Sequence, residues 1–219
     1  MENATLTRRS FLKLSLSASA LFIGGRHIVA TANDDTDTPD TFVPNAWIRV
    51  DRNNTITFMI DKSEMGQGVM TSLAMLIAEE MEVDLDAIHT EFAPAEPVYA
   101  NTLFGVQITG GSTSIPSSWD NLRSMGAAAR TLFIKAAASH WNVPAGECYA
   151  ESGRIHHGDS DRSISYGALI DTAAEQELPD KLPLKMPQQF RLIGKPVARL
   201  DTPAKVDGSA RFAIDVELE

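Results

Sequence analysis

Thr55-Ile56-Thr57-Phe58-Met59-Ile60, then Lys62-Ser63-Glu64-Met65-Gly66-Gln67-Gly68, then Val69 through Glu82 follow one another as three distinct patterns. The first alternates polar and apolar side chains and is rich in β-branched and aromatic residues, which predicts a strand. The second sets two glycines around a glutamine and predicts a loop that a ligand or another backbone approaches closely. In the third, Val69, Leu73, Leu76, Ile77 and Met81 fall on one face of a 3.6-residue period, which predicts an amphipathic helix. A strand that turns through glycines into a helix points to a fold mixing helices with a sheet.

The flanks extend this reading. Ala46-Trp47-Ile48-Arg49-Val50 alternates like a strand, and Asp51-Arg52-Asn53-Asn54 has the chemistry of a hairpin turn before Thr55. Ile88 to Phe92 predicts a further strand. Ala93 to Gln107, with Pro94, Pro97 and Gly105, predicts a long loop. A second helix is expected from about Pro116 to Trp141, with proline in the first turn, where no N–H is needed. Its Gly126-Ala127-Ala128-Ala129 segment carries little side chain, so another backbone can approach there. Arg154-Ile155-His156-His157 reads as a strand beside a Gly-Asp turn, and Ser163 to Thr172 as a short helix after a strand. Pro179, Pro183 and Pro187 mark a polar connector. The order β-β-α-β-α-β-α predicts an α+β domain with helices packed on one face of a mixed sheet.

The 219 residues carry a formal charge of −10. Residues 1–32 hold four bases and one acid, so the remainder is more acidic still. Such a surface repels nucleic acid and anionic membranes, and excludes nucleic acid as a partner. Cys148 is the single cysteine, which rules out an intramolecular disulfide and is read as a small buried hydrophobe. His156 and His157 are neighbours on a strand, point to opposite faces, and do not chelate one metal. They are read as surface strand residues. Glu79 and Glu80 are assigned to a solvated face of the first helix. Trp47, Trp119 and Trp141 are read as core or helix-packing residues.

Residues 1–32 follow the three-part plan of an export signal: Thr7-Arg8-Arg9-Ser10-Phe11-Leu12-Lys13, an apolar run from Leu14 to Gly25, and an Ala30-Thr31-Ala32 cleavage box. The apolar run is too short and mild for a stable membrane span. The paired arginines resemble the twin-arginine signal, which implies export of the folded protein to the periplasm. Residues 33–45, acidic and Thr/Pro-rich, are expected to be a disordered spacer.

Two loops carry the candidate chemistry. Glu64 to Gly68 stands before one helix, where free N–H groups and a positive dipole end favour a polar or anionic ligand. Thr109-Gly110-Gly111-Ser112-Thr113-Ser114 stands before the other, and its small and hydroxyl residues suit a phosphate. No Gly-Lys-Ser/Thr follows, so it is not a P-loop. A helix cap by Ser112 or Ser114 is the plainer alternative, and both helix starts converging on one ligand is the sharper one.

Glu64-Met65-Gly66-Gln67-Gly68-Val69-Met70-Thr71 resembles the E-M-G-Q-G-x-x-T segment of the xanthine dehydrogenase and aldehyde oxidase group. Gly110-Gly111-Ser112-Thr113-Ser114, with Leu122-Arg123 and Gly126 to Arg130 behind it, resembles that group's second cofactor loop and helix. Both motifs near the N-terminus, behind a twin-arginine leader, are similar to the branch of isoquinoline 1-oxidoreductase beta subunits and their aldehyde dehydrogenase relatives. Arg199-Leu200-Asp201-Thr202-Pro203-Ala204-Lys205-Val206-Asp207-Gly208 resembles the start of the group's hammerhead domain.

The resemblance implies a molybdenum pterin cofactor, as molybdopterin or its cytosine dinucleotide, contacted by Gly66, Gln67 and Gly68, with Gly110, Gly111, Ser112, Thr113 and Ser114 seating its phosphate. It implies oxidation of aldehydes or N-heterocycles with water-derived oxygen, and electron transfer to a 2Fe-2S subunit. Members of the group continue for several hundred residues and place their catalytic glutamate near the C-terminus. No catalytic residue and no metal ligand is therefore assigned here. The expected organisation is a leader at 1–32, the spacer at 33–45, half of a molybdopterin-binding domain at 46–178, a connector at 179–198 and the beginning of a truncated hammerhead domain at 199–219. Cofactor binding would then need a partner chain bearing the remaining hammerhead and catalytic domains. The alternatives are an inactive exported remnant, a non-catalytic binding module, or one chain of a split enzyme. Phe212 to Val216 is expected as a strand left without a neighbour, a liability for a soluble protein.

Overall fold

The computed structural model describes residues 40–217. The leader at 1–32 and the first part of the expected spacer lie outside the described residues. A four-stranded mixed sheet runs in the order β1 (Thr41–Asn45), β2 (Ile48–Asp51), β3 (Ile56–Ile60) and β4 (Ile88–Phe92). The first three strands are antiparallel to their neighbours, whereas β3 and β4 are parallel. Parallel neighbours need a crossover. Helix α1 (Val69–Met81) lies in it, so the glycine loop sits at the end of β3, where the chain leaves the sheet for the helix. A second, three-stranded antiparallel sheet holds β5 (Cys148–Glu151), β6 (Arg154–His157) and β7 (Ser163–Ser165). Helices α2 (Ser114–Trp141), α3 (Ile170–Ala174) and α4 (Thr202–Asp207) complete the set. The expected α+β class with a mixed sheet is what forms.

Ile48 and Val50 point into the core and Arg49 away from it, where its guanidinium meets Thr57 and Glu91. Inside, Ile56, Phe58 and Ile60 meet Leu73, Ile77 and Met81 of α1 and Leu122, Ala129 and Phe133 of α2. Phe133 stacks on Tyr166 with ring centroids 4.3 Å apart, and the Tyr166 hydroxyl donates to Met81 O at 2.6 Å. The small-residue segment of α2 does what its composition predicts. A Cβ on Gly126 would lie 2.5 Å from the carbonyl oxygen of Ile77, so α1 and α2 touch backbone to backbone there. Gly167 is under the same restriction, because a Cβ would meet the 51–54 turn at 2.6–2.7 Å.

Four expectations are corrected. Thr41–Asn45 is not spacer but strand: it pairs with β2 through Thr41↔Asp51 and Phe42↔Val50, and Phe42 packs edge-on against Phe133. Glu79 and Glu80 are not solvated. Helix α1 is enclosed by the sheet, α2 and the connector, and both carboxylates are buried. Glu80 receives Arg123 and the Lys185 N–H, while Glu79 receives Lys185 Nζ and the N–H groups of Arg191, Leu192 and Ile193. His157 is not a surface residue. It is buried between Glu147 at 3.1 Å and Ser160 at 2.9 Å, though it and His156 do face opposite ways. Phe212 to Val216 forms no strand. Ala213–Asp215 closes a single 3-10 turn, with Asp215 N donating to Phe212 O and the Asp215 carboxylate accepting the Phe212 N–H.

Candidate functional site

The first loop is organised by Glu64. Its Oε1 accepts the N–H groups of Gly66 (2.8 Å) and Gly68 (2.9 Å), and its Oε2 accepts that of Met70 (3.0 Å). Burial works against the charge on this carboxylate, but the N–H groups of Gly68, Met70 and Gly66 outweigh it and hold the carboxyl below its ordinary value. Gly66 and Gly68 adopt φ of 99° and 83°, the left-handed region that glycine enters without a Cβ penalty. Glu64 is therefore the cap of α1. A negative side chain already occupies the positive helix end, so the expectation of an anion seat at α1 is corrected.

Gln67 braces the same loop from within. Its Oε1 accepts the Met65 N–H and its Nε2 donates to Ser63 O at 2.9 Å, so both ends of the amide already have partners in the loop. Its carboxamide still has one N–H and one lone pair in reserve.

The second loop leaves its helix start open. Gly111 and Ser112 have φ of 62° and 56°, and the serine, unlike the glycine, bears a steric cost for it. Thr113 is the cap position. Its hydroxyl donates to Gly110 O at 2.9 Å and accepts the Asn101 amide at 3.0 Å. Asn101, buried and unremarked in its long loop, thereby anchors this turn. The Ser112 and Ser114 hydroxyls make no hydrogen bond to the other described residues, and the first N–H groups of α2 have no intrahelical acceptor. One turn into the helix, Ser117 Oγ is buried without a hydrogen-bond partner among the described residues. A Cβ on Gly66 or on Gly110 would find nothing within 4 Å, so both loops present bare backbone to open space.

The two loops meet. Ser63 N–H, at the start of the first, donates to Thr109 Oγ1, at the start of the second, at 2.8 Å. The donors at the start of α2, the uncommitted hydroxyls and the bare glycine backbone fit a phosphate with a flat, polar heterocycle beside it. That is the chemistry of a pterin cofactor. All eight sequence-assigned residues lie on this pair of loops.

Two residues of the site carried no functional assignment in sequence. Arg199 donates to Gly66 O at 2.9 Å and to Glu64 Oε1 at 3.3 Å, and Asp201 grips the far side of its guanidinium. Arg199 and then Lys205 hold the Asp201 carboxyl well below the usual carboxylate range. Among the described residues there is no cluster of three or more His, Cys, Asp or Glu suited to a metal ion, and no helix long and apolar enough to cross a membrane. A groove lined by Cys148, Tyr149, Pro183 and Lys185 shares no residue with either loop.

Comparison with known proteins identifies the family. The family described as the molybdopterin cofactor-binding domain matches residues 18–209. The membrane-bound aldehyde dehydrogenase [pyrroloquinoline-quinone] of Gluconacetobacter polyoxogenes is 34% identical over all of this chain and 29% of its own length. The isoquinoline 1-oxidoreductase subunit beta of Brevundimonas diminuta is 30% identical over 99% of this chain and 32% of its own. Among solved structures, quinoline 2-oxidoreductase from Pseudomonas putida 86 aligns with a TM-score of 0.44 at 14% identity, over 58% of this chain and 15% of that one. The chain spans just under a third of the length of the two curated relatives.

Proposed function

The chain belongs to the molybdopterin cofactor-binding domain family, and we propose that it supplies one wall of a molybdenum pterin site in an exported hydroxylase. The observation that carries this reading is the Ser63–Thr109 hydrogen bond, which joins the starts of the two loops into one surface. In this account the Ser112 and Ser114 hydroxyls, with the N–H groups of Ser114 and Ile115 at the start of α2, receive the cofactor phosphate, and Thr113, committed to Gly110 and Asn101, holds the turn that presents them. The bare backbone at Gly66 and Gly110 lets the pterin lie close, and Gln67 presents the remaining capacity of its amide. When bound, the cofactor supplies the redox chemistry, and this chain positions it and shapes its electrostatics.

The reaction is the oxidation of an aldehyde or an N-heterocycle with water-derived oxygen. The catalytic base, the rest of the hammerhead domain and a 2Fe-2S centre come from polypeptide other than the described residues. Glu64, Glu79 and Glu80 are all engaged in holding the fold, so none is available as a base. Residues 1–32 direct the folded protein to the periplasm by the twin-arginine route, which sequencing the N-terminus of the mature protein checks.

One relative is named for pyrroloquinoline quinone, a tricarboxylate, which calls for several cations at its seat. Residues 63–68 and 109–114 contain no Lys or Arg, and Arg199 is already matched by Glu64 and Asp201. The donor set therefore favours the pterin.

The test is metal and pterin analysis of the protein isolated from its own host with whatever accompanies it. Molybdenum and an oxidisable pterin should be present in equal amounts, and Ser112→Asp, which sets a negative charge at the phosphate seat, should lower both by at least about tenfold. A preparation carrying a quinone, or neither group, contradicts the reading.

A further inference from the structure

From the connector to α4 the chain runs as a strap along α1, and its contacts lie at the two ends of that helix. Near the C-terminal end, Glu80 accepts the Lys185 N–H, and Glu79 accepts Lys185 Nζ and three successive N–H groups from Arg191 to Ile193. Near the N-terminal end, Thr71 Oγ1 accepts the Leu200 N–H at 3.0 Å, and Arg199 reaches the glycine loop itself. Thr71 and Glu79 are separated by about 12 Å of helix at 1.5 Å per residue. The strap thus ties the far end of α1 to the loop that precedes it.

The guanidinium of Arg199 is held in one orientation. Nε and Nη2 donate to Oδ1 (2.9 Å) and Oδ2 (2.7 Å) of Asp201, a bidentate pair that fixes the plane of the group. Lys205 Nζ donates to the same Asp201 Oδ2 and helps to hold the carboxylate in place. Nη1 is then left to donate to Gly66 O at 2.9 Å, while the guanidinium passes over Gly68, 3.9 Å from where a Cβ would stand.

The Gly66 carbonyl shares its peptide plane with the Gln67 N–H. Among the described residues every peptide bond is trans, so the carbonyl and the N–H of that plane point in opposite directions. Drawing the carbonyl toward Arg199 turns the Gln67 N–H away from the strap. That N–H has no acceptor among the described residues, whereas those of Met65, Gly66 and Gly68 are all taken by side chains of the loop. We propose that Arg199 is a positioning residue for the cofactor site: by holding Gly66 O it aims the Gln67 backbone N–H outward as a hydrogen-bond donor to a heterocyclic acceptor of the pterin. This rests on the reading that the loop contacts that cofactor. Docking of the strap and formation of the cofactor surface are then one event, since without Arg199 the 66–67 peptide, with the permissive Gly66 on its N-terminal side, is free to flip.

Two variants of the full chain test it, Arg199→Met and the milder Arg199→Lys, each compared with wild type in two measurements. The first is hydrogen exchange in the cofactor-free protein. Arg199→Met should speed exchange at residues 64–70 by at least about tenfold while leaving the α2 amides unchanged, with Arg199→Lys intermediate because a lysine can reach Gly66 O without the fork. The second is the rate at which molybdenum and pterin are lost on dialysis of the isolated complex, which Arg199→Met should raise by a similar factor. If loop exchange and cofactor retention both match wild type in Arg199→Met while Ser112→Asp loses the cofactor, the clamp is wrong and the cofactor reading stands. If wild type itself binds no molybdenum pterin, both fall together.

Discussion

Replacing Glu80 by alanine removes the most enclosed charge described in the protein. Its Oε1 holds Arg123 through Nε at 2.9 Å and Nη2 at 2.6 Å, Arg130 stands 3.6 Å from Oε2, and the Lys185 N–H donates at 3.0 Å. The Glu80 side chain is wholly enclosed, and those of Arg123 and Arg130 are about nine-tenths so. Arg123 is further fixed against the rings of Trp119 and Phe190, which limits how far it can swing toward water. Removing one partner of a buried pair leaves uncompensated charge and costs about 3–5 kcal/mol. In a chain of this size each kcal/mol moves the midpoint by about 2–4 °C, so the midpoint should fall by roughly 6–20 °C.

The assay is thermal unfolding followed by circular dichroism, with Glu147→Ala as the comparison. That carboxylate is 42% exposed and pairs with His157 at 3.1 Å, so its loss should cost under about 1 kcal/mol. The double variant Glu80→Met/Arg123→Met should recover part of the loss, because it leaves one charge fewer stranded. A fall of less than about 2 °C in Glu80→Ala would refute the reasoning and return Glu80 to a solvated face.

Gly126→Ala should destabilise by about 1–3 kcal/mol in urea unfolding, because the new methyl meets the Ile77 carbonyl at 2.5 Å; an unchanged midpoint would mean that α1 and α2 do not touch there. Glu79 should give the protein part of its acid sensitivity. Burial opposes its charge, but the Lys185 ammonium and the N–H groups of Leu192, Ile193 and Arg191 prevail and hold the folded-state value below the ordinary one. Its contribution is thus complete above the ordinary glutamate value and is lost as pH falls through the lowered one. Unfolding midpoints measured from pH 7 down to about pH 2.5 should therefore fall less steeply in Glu79→Gln than in wild type; parallel curves would contradict the assignment.

What was legible in sequence was whatever repeats locally. Val69, Leu73, Leu76, Ile77 and Met81 announced α1, and Gly126 to Ala129 announced a close helix contact, since both are signals within one element. Glu79 and Glu80 were misassigned because an acidic pair on the polar side of a helix looks the same whether water or a distant backbone satisfies it. Their partners lie some 40 to 110 residues away in sequence, on α2 and the connector. Thr41–Asn45 was hidden by Pro44 and its Thr/Pro-rich surroundings, and it becomes a strand by borrowing the exposed edge of β2.

The site divides in the same way. Both loops stood out by their glycines and hydroxyls, but the inward turn of Gln67 and the capping role of Glu64 depend on loop geometry that composition does not encode. Arg199 belongs to the loop only through contacts across 133 and 135 residues.

The central claim is that two separate loops make one cofactor surface. Hydrogen exchange at residues 63–68 and 109–114, measured on the isolated complex with its cofactor bound and after its removal, tests it most directly. The account predicts that bound cofactor slows exchange in both segments together, with the Gln67 amide and the first turn of α2 most affected. Protection of one segment alone, or of the Cys148–Lys185 groove instead, would contradict it.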